Sequence, residues 1–271
     1  TATVLAEMHI KQELDWNTSI ESLLPAKVNA PQYKGQSITL LDLATQSSGL
    51  PSLAENFEPT DPLNPYADYT VEDLYEGLSM VQLSGPIGKQ YAYSNLGFGL
   101  LGHLQELKTK KRYEDVVISH ICEPLGMNST RITLDPSLKA RLAIPHDGGT
   151  PVPVWEDLTL AGAGSFLSTA GDMLKYLEAH LNGGEGSLYE AMQLTIQKRR
   201  PTDVSSQAIG LGWHIDSENA LDIIWHNGGS GGSCSYMAFL KGSQVGVVVL
   251  SNSNSTVDEL GRKILYLLHL H

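Results

Sequence analysis

Two short stretches hold residue types that chemistry can use. In "YAYSN", Tyr93 and Asn95 flank Ser94 where a loop turns into an apolar helical run. A phenol there can accept and return a proton, and an Asn amide can orient a substrate carbonyl or amide. The same stretch also reads as an ordinary helix start, with Asn95 as its cap and Tyr93 as packing. In "WHNGG", His226 ends an apolar strand, and Asn227, Gly228 and Gly229 lead into Gly-rich backbone. Glycine lets a ligand come close, so the Gly229 N–H can point outward.

A third pattern is a decoy. "GGSGG", from Gly228 to Gly232, satisfies G-x-S-x-G and would make Ser230 a nucleophile on a strand-to-helix elbow. That motif needs a helix directly afterwards, whereas "SCSYMAFL" reads as a strand. A Gly-rich hairpin is the expectation, and Ser230 is not assigned as nucleophile. No H-E-x-x-H pair, phosphate loop or Cys/His cluster with metal spacing occurs, so neither metal nor cofactor is expected. Cys122 and Cys234 read as free thiols.

The elements that must position these residues change period along the chain. Capping-box spacings at Thr39/Asp42 and Thr70/Asp73, and Thr169 with Asp172, open helices in the first two thirds. "TATVLAEMHI" has its apolar residues at helical spacing and predicts an amphipathic helix. From Ile209 four short runs rich in β-branched and aromatic residues follow, "IGLGWHID", "LDIIWHN", "CSYMAFLKG" and "QVGVVVLSN". Their connections are too short for crossover helices, so the strands are antiparallel neighbours, closed by a last amphipathic helix. One unit is expected over 1–271, helical to about 205 and sheet plus terminal helix beyond. This is an α+β pattern.

Composition excludes some partners. The 271 residues carry a formal net charge of −12, and "KTKKR" (Lys108 to Arg112) is the only short basic run. It reads as the solvated end of a helix, so no nucleic-acid partner is expected. No stretch is long and apolar enough to span a membrane.

Taken together and in order, these segments resemble the serine β-lactamase and penicillin-binding-protein family, especially its class C β-lactamase, carboxylesterase and D-aminopeptidase branch. The segments that carry the resemblance are "LLDLATQSSGLP", "GKQYAYSNLGFGLLGHLQE", "ICEPLGMNSTR", "AGAGSFLSTAGDMLKYL" and "GLGWHI…WHNGGSGG…VGVVVLSN". The resemblance implies a β-lactamase/transpeptidase-like fold, with an antiparallel sheet flanked by helices, and acyl transfer through a covalent acyl-enzyme. Tyr93 would then move protons near the nucleophile, while Asn95 would hold the acyl side chain. His226 and Gly228 would line the pocket, and the Gly229 N–H would form half of an oxyanion hole. His226 stands where many relatives carry the Lys of K-T-G. A mostly neutral imidazole suits esters, small peptides and amides better than the carboxylate of a β-lactam.

The family also needs Ser-x-x-Lys, and no Ser in this sequence has Lys three positions later. Thr195 has that spacing to Lys198, but outside any family segment. The expectation is that these residues begin just after the catalytic Lys, without the family's N-terminal strands. Three accounts stand open: a portion of a longer polypeptide, a truncation without acyl-transfer activity, or Thr1 as an N-terminal nucleophile. The reading is a serine-hydrolase-family protein that is inactive as these residues stand and takes a small acyl substrate or ligand. The alternative is a binding or scaffold protein that keeps the cleft. An uncovered sheet edge predicts self-association.

Overall fold

The computed structural model describes residues 1–218 and 221–270. Helix α1 (Ala2–Ile10) is buried on nearly every side from Ala2 to Met8. It is a core helix rather than the amphipathic one its spacing predicts, because other helices cover the face that Thr3 and Glu7 would otherwise turn to water. A two-stranded ribbon, β1 (Gln32–Tyr33) and β2 (Gln36–Ser37), leads into α2 (Leu40–Ala44). Then come α3 (Val71–Met80) and α4 (Asn95–Thr109).

The caps of α2 and α3 form as the spacing predicts. The Thr39 hydroxyl accepts from the Asp42 N–H, and the Asp42 carboxylate accepts from the Thr39 N–H at 2.9 Å. Thr70 and Asp73 repeat the arrangement. Two orphan donors of each first turn are thereby satisfied. Helix α4 is capped by Ser94, whose Oγ accepts from the Gly97 N–H at 2.8 Å, so Asn95 is not the cap. It ends at Lys110 in the left-handed conformation, which places the basic run at an exposed helix end.

Helix α5 (Tyr113–Val117) continues into one π turn over Ile118–Cys122. A short α6 (Pro136–Lys139), the ribbon β3 (His146–Asp147) and β4 (Thr150–Pro151), and a 3₁₀ turn at Ala161–Ala163 follow. The last helices before the sheet are α7 (Ala170–Asn182) and α8 (Ser187–Thr195). At α7 only half the expected capping box forms. Thr169 accepts from the Asp172 N–H, but the Asp172 carboxylate turns to the Ser129 N–H at 2.7 Å and to Thr130.

The main sheet has six antiparallel strands in chain order: β5 (Arg200–Pro201), β6 (Gln207–Ile209), β7 (His214–Glu218), β8 (Leu221–Ser230), β9 (Ser233–Leu240) and β10 (Gly246–Ser251). Alternate residues face opposite layers. Trp213, Ile215, Ile224, Met237 and Phe239 pack with Leu177 and Ile196 on the α7/α8 side. Ile223, Tyr236, Ala238, Leu240 and Val247 pack with Leu265 of α9 (Asp258–His269) on the other. Burial on both faces explains why these strands read as nearly continuous apolar runs. Both cysteines are free thiols, Cys122 buried and Cys234 half-buried. Among the described residues no helix is long and apolar enough to cross a membrane.

Candidate active site

The Tyr93–Asn95 turn is held from behind by the "QSSGLP" segment. Gly88 N–H donates to the Ser47 carbonyl at 2.8 Å and Ala92 N–H to the Gln46 carbonyl at 2.7 Å. The Gln46 side chain accepts from the Ser94 N–H at 2.8 Å, and Ser94 Oγ donates to the Pro51 carbonyl at 2.6 Å. Gln46 adopts φ 51°, a left-handed conformation uncommon for a residue with a Cβ. The fully buried Ser94 is thus an anchor, and its two neighbours are turned outward. Tyr93 is 42% exposed and Asn95 is half-buried at the first turn of α4.

Strand β8 forms the facing wall. Its ring at His226 lies 6.4 Å from that of Tyr93, centroid to centroid. His226 Nδ1–H donates to the Asn227 carbonyl at 2.6 Å, which assigns the tautomer and leaves Nε2 as an acceptor. Burial holds the imidazole below the ordinary histidine range, against the Asn227 carbonyl and the Asp258 carboxylate, which pull the other way. Its neighbour His214, with centroids 5.6 Å apart, is lowered to about 4, chiefly by burial and further by His226. Tyr93 is raised above the ordinary phenol range by burial, so it stays protonated at neutral pH. The pair is therefore uncharged at neutral pH.

The backbone of β8 supplies a donor. Pairing with β7 stops at Trp225, opposite His214, so among the described residues 226–230 pair only with β9. Ser230 and Ser233 close a hairpin with two loop residues, and such a closing pair exchanges both hydrogen bonds. Pairs alternate from there, which makes Gly229 and Cys234 a non-hydrogen-bonded pair. The Gly229 N–H consequently points to the open edge beyond β7. Nothing lies within 4 Å of where a Gly229 Cβ would stand. Gly228 is constrained differently, since a Cβ there would meet Ser235 Oγ at 2.8 Å. The Gly-rich run continues the strand into this hairpin, and the segment after Ser230 is β9, not a helix.

The Thr195–Lys198 spacing does no chemistry. Thr195 is fully buried at the last turn of α8 and bonds back to the Met192 carbonyl, while Lys198 pairs with Asp222 at 2.6 Å. The Thr1 hydroxyl is likewise occupied, donating to the Gly162 carbonyl at 2.6 Å.

Two loops that no local pattern singled out complete the walls. A Cβ on Gly231 would stand 2.4 Å from Trp155 Nε1, so the indole lies directly against the hairpin. Tyr66 packs on Trp155 at 5.4 Å and on Phe57 at 5.0 Å. The Tyr66 hydroxyl is raised by burial and by the nearby Asp157 and Tyr93, while the Asn95 side chain favours its ionised form. Asp157 accepts from the Leu160 N–H at 2.8 Å, and burial raises its carboxyl to about 6. Tyr66 and Asp157 come from the loops "NFEPTDPLNPYADY" and "VPVWEDL", whose composition signals turns and nothing more.

The chain as a whole is similar to known proteins. The family model described as "Beta-lactamase" matches residues 1–271. The chain is 28% identical over 263 residues to D-alanyl-D-alanine-carboxypeptidase/endopeptidase AmpH of Escherichia coli (strain K12), covering 92% of this chain and 67% of that protein. It is 24% identical over 287 residues to penicillin-binding protein 4 of Amycolatopsis lactamdurans, covering 98% and 73%. Its fold matches a beta-lactamase/D-alanine carboxypeptidase from Yersinia pestis, complexed with citrate. There the TM-score is 0.84 at 24% identity, over 98% of this chain and 79% of that one.

Proposed function

The chain belongs to the beta-lactamase family, and from that premise we propose that its cleft takes the acyl part of a small ester or amide. The observation that carries this reading is the convergence of Tyr93, His226 and the Gly229 N–H on the unpaired edge of β8. Gly229 N–H would stabilise the oxyanion that develops in acyl transfer, where a fixed donor is worth most. Tyr93, neutral and partly exposed, would relay the proton between nucleophile and leaving group. Asn95 would hold the acyl substituent, and Gly228 would let the substrate backbone approach the strand.

The neutral His226 favours esters and uncharged amides over β-lactams. A carboxylate on the substrate would find no fixed positive charge at this position, where a Lys would supply one. The 271 residues contain no Ser-x-x-Lys turn. On this reading they hold the binding and oxyanion half of an acyl-transfer site and form no acyl-enzyme alone. A fluorophosphonate probe followed by intact-mass measurement tests this: no adduct is expected on these residues, and a labelled serine among them would overturn it. In any polypeptide in which these residues are joined by such a turn, Tyr93→Phe is expected to lower ester hydrolysis at least about ten-fold. Unchanged rates would remove Tyr93 from the site.

The sheet edge supports a further part of the proposal. Among the described residues strand β10 pairs only with β9, and Leu250 on it is 42% exposed. Unpaired N–H and C=O groups along such an edge invite another strand, so these residues are expected to self-associate through β10. Small-angle scattering checks this, and a monodisperse monomer at micromolar concentration would refute it.

A further inference from the structure

A carboxyl group close to Tyr66 lacks a counter-ion. Asp157 forms no ion pair among the described residues, and one of its oxygens is taken by the Leu160 N–H. The Ser165 hydroxyl comes near enough to favour the ionised form, yet Ser165 Oγ is buried with no hydrogen-bond partner. The rings of Tyr66 and Trp155 pack 5.4 Å apart, and Tyr66 feels both Asp157 and Tyr93. Three strong cations lie elsewhere. Lys198 is paired with Asp222, and Arg200 with Asp42 at 2.8 Å. With Arg199 they line an open groove of about 510 Å³ beside Leu41, Thr45 and Gly88.

A half-buried carboxylate, an unpartnered hydroxyl and two aromatic faces form a receptor for an ammonium group. The carboxylate supplies charge, the Ser165 hydroxyl favours its ionised form, and the rings offer their negative faces. We propose that Asp157, with Ser165, Tyr66 and Trp155, selects acyl groups that end in an ammonium group. The acyl carbonyl lies at Gly229 N–H and the cation lies past Asn95. This rests on the acyl-cleft reading above and adds the substrate's charge to it.

The test compares 6-aminohexanamide with heptanamide, which differ only in –NH₃⁺ for –CH₃, by NMR chemical-shift titration at pH 7.5. A purely apolar cleft binds heptanamide the more tightly. The expected result is the reverse, with the ammonium amide favoured about ten-fold. Asp157→Asn, which keeps the shape and the acceptor for Leu160 N–H, should abolish the preference. Tyr66→Leu should reduce it. The ammonium does not titrate in this range and Tyr66 and Tyr93 stay neutral, so the preference should be present above about pH 6 and fade at pH 5 as Asp157 protonates. If heptanamide binds as well in the unaltered protein, or if Asp157→Asn keeps the preference, the ammonium site is wrong while the acyl cleft stands. If neither amide shifts any resonance of the cleft, the acyl-cleft reading falls and the ammonium site falls with it.

Discussion

Replacing Glu7 by Ala is expected to destabilise the fold by about 3–5 kcal/mol, the cost of breaking a buried ionic network by removing one member. Glu7 is only 4% exposed on α1. One carboxylate oxygen accepts from Lys11 Nζ and from Ser187 Oγ, each at 2.7 Å; the other meets His120 Nδ1 at 2.7 Å. This single group therefore ties α1 to the start of α8 and to the π turn after α5. Its loss leaves the half-buried His120 imidazole and Ser187 hydroxyl without their partner, while the Lys11 ammonium turns to water. Desolvation is the largest single influence on the carboxyl and pushes it up, but the hydrogen bonds from His120, Lys11 and Ser187 together outweigh it. They hold the group at about 2, against an ordinary value of 4.5.

The sign of the pH dependence follows. A depressed folded-state value means that the carboxylate's stabilisation is complete above about pH 5. It is lost as pH falls through the interval down to about 2, and amounts to about 3 kcal/mol over that range. Urea unfolding at several pH values checks both parts. Glu7→Ala should lose most stability at pH 7 and show a shallower decline between pH 5 and 2. A change below about 1 kcal/mol at pH 7 would mean that the network adds little beyond packing.

The same residue shows where sequence reading stops. In "TATVLAEM" Glu7 looks like the polar face of an amphipathic helix, and only the partners at 120 and 187 make it a core residue. Local devices were legible because their causes are local. The Thr39 and Thr70 boxes close within four residues, and the antiparallel order of β7 to β10 follows from connections too short for anything else. Of the site, Tyr93, Asn95, His226, Gly228 and Gly229 sit in two compact runs whose order along the chain carries the family pattern. Ser94 rather than Asn95 caps α4 because the buried Gln46 amide and the Pro51 carbonyl fix it there, 48 and 43 residues upstream. Tyr66, Trp155 and Asp157 had no spacing to betray them. Their relation to Asn95 exists only once two loops fold over the hairpin at Gly231.

Gly162→Ala is expected to cost about 3 kcal/mol, at the upper end of overpacking in a closed site. Gly162 lies in the 3₁₀ turn Ala161–Ala163, pressed against α4. A Cβ there would stand 2.4 Å from the Phe98 carbonyl oxygen and 2.9 Å from Gly102 Cα. The contact is reciprocal, for a Cβ on Gly102 would stand 2.7 Å from Gly162 Cα. Backbone meets backbone, so no side chain can swing aside, and the turn must lift off the helix. Gly164→Ala is the matched control: nothing lies within 4 Å of its Cβ position, and its φ of 161° lies outside the left-handed region. It should change stability by less than about 0.5 kcal/mol. Equal urea midpoints for the two variants would refute the close approach. The consequence reaches the cleft, because the turn that Gly162 seats begins just after Asp157, while the helix it seats against begins at Asn95. Prising them apart should weaken the ammonium preference in whatever fraction of Gly162→Ala remains folded, while Gly164→Ala keeps it.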